Sequence, residues 1–134
     1  RRLLALASDI PHLGRLATPT GSATRRSPQC GSTVTADVVV ADGVVTEFAQ
    51  EVRACALGQA SAAVLGAAVI GRTPAELAAA RDAIRAMLTE GAPAPEGVFA
   101  EAEALTPARQ FPNRHASILL AWEAAAEAAS APSI

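Results

Sequence analysis

The sequence contains no lysine. All eleven basic residues are arginine, set against 13 acidic residues for a net charge of −2. Nucleic-acid binding needs clustered positive charge. The doublets Arg1-Arg2 and Arg25-Arg26 are too small to supply it, so no nucleic-acid partner is expected. Aromatic residues are almost as scarce: Phe48, Phe99, Phe111 and Trp122 are the full set. The core must therefore be aliphatic and alanine-rich, with closely packed helices. Cysteine is limited to Cys30 and Cys55. Two thiols make no disulfide framework, and a reducing, cytoplasmic setting is expected. The apolar run at residues 3–7 is too short for the hydrophobic region of a signal peptide. Residues 54–71 carry no charge, which raises the question of a membrane span. Gln59, Ser61 and repeated glycine and alanine keep that stretch weakly hydrophobic, so it predicts a helix buried inside the domain, with no membrane partner.

What is present suits one domain over residues 1–134. Hydrophobic residues make up 51% of the chain, enough to argue against disorder and to bury a core at this length. Residues 3–10 predict a short helix stopped near Pro11. Residues 14–28 are rich in Thr, Ser, Gly and Pro and predict irregular structure with one edge strand. Residues 33–40 and 44–52 predict two strands around the turn signal Asp42-Gly43. Residues 57–70 predict the buried helix. Thr73-Pro74-Ala75-Glu76 reads as a capping box with proline at the first helical position. Leu77, Ala80, Ile84, Met87 and Leu88 follow on one face, and Gly91 ends that helix. Residues 96–105 predict a short helix broken by Thr106-Pro107. The last helix follows Phe111-Pro112-Asn113, with Ile118, Leu119, Trp122, Ala125 and Ala129 inward. Strands before helices give an α+β class.

The two thiols flank the central hairpin. A two-residue turn at Asp42-Gly43 would set Cys30 opposite Cys55. Pairing Val38 with Phe48 and Val34 with Val52 gives a better apolar face and shifts the register by one residue, as a three-residue loop with a bulge would. Either register leaves the thiols within about one residue of each other across the ladder. Cys55 precedes the buried helix, whose free N–H groups and dipole favour a thiolate. Cys30 lies in a Pro/Gln/Gly setting from which a thiol can reach outward. Reactive or metal-binding thiols, a disulfide between facing strands and two inert buried thiols all fit this spacing. Asp37 reads as a strand-surface residue and Asp42 as a turn residue.

These residues resemble the IscU/NifU-type iron–sulfur cluster assembly scaffolds. That family carries Cys-Gly-Asp before a strand, then Gly-Cys with Ala-Ser five residues on, then Arg-x-x-Cys-x-x-Leu-x-Trp or a variant. Here stand Cys30-Gly31-Ser32, Ala54-Cys55 with Ala60-Ser61, and Arg114-x-x-Ser117-x-x-Leu120-x-Trp122. Pro11-His12-Leu13-Gly14 looks like the early proline-containing turn. The 62 residues from Cys55 to Ser117 resemble the SufU-like branch, with its insert falling within residues 91–110. The resemblance implies a small three-stranded antiparallel sheet packed on one face by helices. It implies a scaffold or sulfur acceptor taking persulfide sulfur from a cysteine desulfurase, with Cys30 as acceptor and Cys55 as second ligand. It implies zinc or an iron–sulfur cluster as cofactor.

The ligand pattern departs from the family at two positions. Ser32 stands where the family has an acidic ligand, and Ser117 where it has the last cysteine. A serine hydroxyl stays protonated at neutral pH and is a poor ligand for zinc or iron, so any metal at Cys30, Cys55, Ser32 and Ser117 should be weakly held or missing. His115 is a possible replacement ligand, although two residues of helix from Ser117 is about 200° of rotation. His12 is a weaker one. Both histidines have an ordinary reading as surface or polar-contact residues. The sequence has no Gly-rich phosphate loop, no HExxH and no placeable nucleophile–base pair. A non-enzymatic scaffold or carrier is expected, the alternative being a metal-free homologue that acts as an interaction protein in the same pathway.

Overall fold

Asp42 and Gly43 both take positive φ, 54° and 83°, as a type I′ hairpin turn demands. They join β2 (Thr33–Ala41) to β3 (Val44–Arg53). Pairing starts at Ala41↔Val44, slips at Val39/Val40, and continues as Val38↔Phe48 and Val34↔Val52 to Thr33↔Arg53. Both registers predicted from the sequence therefore occur, one on each side of a bulge. The extra residue lies within the strand and the loop keeps two residues. β1 (Gly21–Arg26) pairs antiparallel along the other side of β2, giving the order β1-β2-β3. The computed structural model describes residues 2–28 and 31–131.

The remaining elements are helical: α1 (Arg2–Ala7), α2 (Ala56–Ala68), α3 (Pro74–Thr89), a 3-10 helix (Gly97–Gln110) and α4 (Pro112–Ala129). The capping box of α3 forms as read. The Glu76 N–H donates to Thr73 Oγ1 at 3.0 Å, and the Thr73 N–H donates to Glu76 Oε1 at 2.8 Å. Leu77, Ala80, Ile84, Met87 and Leu88 are its buried face. The expected break at Thr106-Pro107 does not occur. The 3-10 helix runs through Pro107, and its one non-helical residue is Phe99 (φ −103°, ψ 19°). Buried Ala104, Leu105 and Ala108 anchor the segment on both sides of the proline, so packing offsets the one missing N–H donor.

The described residues share one core. Val34, Ala36, Val38 and Phe48 line the helix-facing side of the sheet, and Leu65, Ile84, Leu105, Ile118 and Trp122 meet them. Trp122 lies edge-on to Phe99, with ring centroids 4.9 Å apart. α4 is the central helix, touching β1, β2, α2 and α3. Its approach to β1 requires Gly21, where a Cβ would collide with the Ala128 carbonyl oxygen.

Asp37 corrects the sequence reading: it is fully buried, not a surface residue of the strand. Arg15 forks onto its carboxylate at 2.6 and 3.1 Å, Ser22 Oγ donates at 2.6 Å and the Leu16 N–H donates at 3.0 Å. The segment before β1 thus folds back over the central strand. Its earlier part, residues 12–14, bonds the backbone of Gln50 in β3. No helix of the described residues is long and apolar enough to cross a membrane.

Candidate functional site

Three elements meet at one end of the sheet. Ser32 precedes β2, Cys55 caps the N-terminus of α2, and Ser117 lies in the second turn of α4. Ser117 Oγ donates to Ser32 Oγ at 3.1 Å and stands 3.5 Å from Cys55 Sγ. Both serines are buried, and Cys55 is half-buried. Gly58 makes the meeting possible, because a Cβ there would lie 2.7 Å from both Ser117 Oγ and Ala54 Cβ. One turn further along, Ser61 Oγ donates to the Ile118 carbonyl at 2.7 Å and accepts from the Trp122 indole N–H at 2.7 Å. The α2–α4 contact thus carries a polar tie on the core side and the Cys55–Ser117 contact on the outer side.

The β1–β2 loop brings Ser32 to this place. The Ser27 N–H donates to the Ser32 carbonyl, and the Gly31 N–H donates to the Ser27 carbonyl, each at 2.9 Å. Gly31 takes φ +72°, a conformation that glycine adopts without strain. Cys30 lies outside the described residues, as do Gln29 and the expected frayed tail from Pro132, so the facing of the two thiols is not described.

Cys55 is placed for ionisation. The first turn of α2 has no acidic residue and no side-chain cap, which leaves its N–H groups and positive dipole end facing the sulfur. Burial pushes the thiol pKa up. Hydrogen bonding from Ser117, the Gly58 and Leu57 N–H groups and the Arg114 side chain outweighs it, so the pKa falls below the ordinary thiol value. The N–H groups act on the sulfur without forming a cap bond of standard geometry. An open cavity of 460 Å³ adjoins the sulfur, lined by Cys55, Ala56, Leu57, Phe111 and Arg114. Phe111, 53% exposed, and Arg114 were not singled out as site residues from sequence. The signal available was their position just before Ser117 at the start of the last helix.

The histidines lie elsewhere. The His115 Nε2 is 2.9 Å from the Ala108 carbonyl, bridging α4 to the 3-10 helix. His12 takes φ 62° and meets Phe48 edge-on. Among the described residues no three His, Cys, Asp or Glu side chains group to hold a metal. The donors that do converge are one thiol and two mutually hydrogen-bonded hydroxyls. Among the described residues, that set does not fit a resident zinc ion or iron–sulfur cluster, whose ligands are thiolates, imidazoles and carboxylates.

No family model matches the chain, and no curated protein matches it. Solved structures do. A nitrogen-fixing NifU-like protein (N-terminal part) from Brucella abortus is 51% identical, with a TM-score of 0.93 over 96% of this chain and 89% of that one. A protein from Fervidobacterium islandicum, described as a candidate iron–sulfur cluster assembly scaffold for the SUF system, is 20% identical. Its TM-score is 0.87 over 97% of this chain and 95% of that one, which shows the shared fold alone. With half of its residues identical to the NifU-like protein over nearly the whole length, the chain belongs to the IscU/NifU-type family of iron–sulfur cluster assembly scaffolds.

Proposed function

We propose that this protein serves iron–sulfur cluster assembly as a sulfur-accepting scaffold, receiving persulfide sulfur from a cysteine desulfurase at Cys30 with Cys55 as the second thiol. The observation that carries the reading is the convergence of Ser32, Cys55 and Ser117 beside an open cavity. These are three of the four positions at which the family pattern places its ligands. Cys30 is two residues before Ser32 in the chain. In the transfer, an acceptor thiolate attacks the terminal sulfur of the donor's persulfide. The donor's S–S bond breaks, its cysteine leaves as a thiolate, and a new S–S bond forms on the acceptor with no net oxidation. The helix N-terminus and Arg114 would stabilise negative charge on Cys55. A cluster built here is cargo, weakly held, because two of its four ligand positions are hydroxyls.

A second reading draws on those same hydroxyls: a scaffold homologue that keeps the fold and partner surface and acts by interaction alone. Incubation with a cysteine desulfurase and L-cysteine, followed by non-reducing mass analysis, separates the two. The first reading expects the added mass of one sulfur atom, absent in Cys30→Ala and retained in Cys55→Ala. A protein that stays unmodified while the desulfurase turns over sinks the first reading and leaves the second.

A further inference from the structure

We propose that Ser32, Ser117 and Cys55 form a metal site in geometry but not in chemistry, and that exchanging the two hydroxyls for ionisable groups suffices to make the pocket bind zinc tightly. Tetrahedral zinc holds sulfur at about 2.3 Å and oxygen at about 2.0–2.2 Å, which puts a sulfur and an oxygen ligand about 3.5–3.7 Å apart and two oxygen ligands about 3.3–3.6 Å apart. Cys55 Sγ and Ser117 Oγ are 3.5 Å apart, and Ser117 Oγ and Ser32 Oγ are 3.1 Å apart. These two spacings are close to those between ligands of a single ion. The atoms are wrong for it. A hydroxyl keeps its proton at neutral pH, and Ser117 already bonds to Ser32. An ion entering here would have to break that bond and would gain two neutral, weak donors.

The surroundings would accept stronger ones. Ser117→Cys changes one side-chain atom, and Gly58 opposite it has no Cβ to collide with a larger sulfur. Ser32→Asp puts a carboxylate at the start of β2, beside the positive end of α2. The described residues then supply three protein donors, enough for a zinc site, and the fourth position of the family pattern falls on Cys30. The inference shares its site with the sulfur-acceptor reading but not its chemistry. Zinc affinity and persulfide formation are read separately, so either can fail while the other stands.

The test is a cobalt(II) titration of the full chain, with zinc affinity measured by competition against a chromophoric chelator. It compares the wild type, Ser117→Cys, and Ser32→Asp with Ser117→Cys. The double variant should take one equivalent of cobalt, with thiolate charge-transfer absorbance and tetrahedral d–d bands. Its zinc affinity should exceed the wild type's by on the order of 100-fold, the upper end of what even an outer-shell partner contributes. Adding Cys55→Ala should abolish the gain. A double variant that is folded by circular dichroism yet binds no better than wild type overturns the proposal. So does a wild type that already binds one zinc tightly through Cys55. If the double variant does not fold, Ser117→Cys alone decides: roughly tenfold tighter binding is expected, and no gain overturns the proposal.

Discussion

Asp37 shows how a buried charge can organise a chain segment with little regular structure. Its carboxylate accepts from Arg15, Ser22 and the Leu16 backbone, and so ties the segment before β1 to the central strand. Burial raises its pKa, but the Arg15 guanidinium and the Ser22 and Leu16 donors more than reverse this, leaving it below the ordinary carboxylate value. A depressed folded pKa contributes stability that is fully present above the unfolded value of about 3.9. That contribution is lost as pH falls through the folded value. Asp37→Asn keeps the shape and removes the charge. It should lower stability at pH 7 by about 1.5–3 kcal/mol, the range for hydrogen bonds to a charged group. Urea unfolding at a series of pH values should show the gap from wild type closing in acid; a gap independent of pH would show that the charge contributes nothing. This residue was misread from sequence for a physical reason. A single aspartate between Ala36 and Val38 looks like the solvent side of an alternating strand, and nothing local announces that Arg15, 22 residues earlier, will cover it. Of the candidate site, Cys55, Ser32 and Ser117 were legible because each sits in a short motif. Phe111 was not, because a cavity wall leaves no motif, and Arg114 stands in the same motif as Ser117 without a ligand's chemistry to mark it.

At the scale of elements, legibility followed how local the determining forces were. α3 was readable to the residue because its start is fixed by one reciprocal pair, Thr73 and Glu76, and its burial by a single apolar face. The 3-10 helix was not. Its continuity through Pro107 comes from distant packing of Leu105 and Ala108, against the local preference of proline. The hairpin fell between these cases. Its turn was plain, but the bulge between Val39 and Val40 reconciles turn geometry with core pairing and shows only as a conflict between two registers. The capping box gives a clean element-scale test. Thr73→Ala removes the acceptor for the Glu76 N–H and should cost about 1 kcal/mol, seen as a Tm lowered by a few degrees in calorimetry. Alkylation of Cys55 should be unchanged, because α3 does not line its cavity. An altered alkylation rate would mean that α3 and the site are coupled in a way these contacts do not provide.

Across the whole molecule, the core and the site are built on one interface. α2 and α4 are held by the Ser61–Trp122 tie on the core side and meet at Cys55 and Ser117 on the outer side, with Gly58 between them. The scarcity of aromatics bears on this: alanine and glycine allow the two helices to approach closely enough for short side chains to touch. Two substitutions separate the halves of the interface. Ser61→Ala leaves the buried Trp122 N–H without its acceptor and should cost about 1–3 kcal/mol, with the site one turn away left in place. Gly58→Ala forces a methyl to within 2.7 Å of Ser117 Oγ and Ala54 Cβ. Overpacking of this kind should cost about 1–3 kcal/mol and must push Ser117 away from Cys55. The two variants should therefore unfold at similar urea concentrations while differing at the thiol: Cys55 alkylation should change in Gly58→Ala and stay at the wild-type rate in Ser61→Ala. Equal alkylation in both would mean that the spacing of α2 and α4 does not control the thiol. The serine pair would then be a passive lining of the pocket.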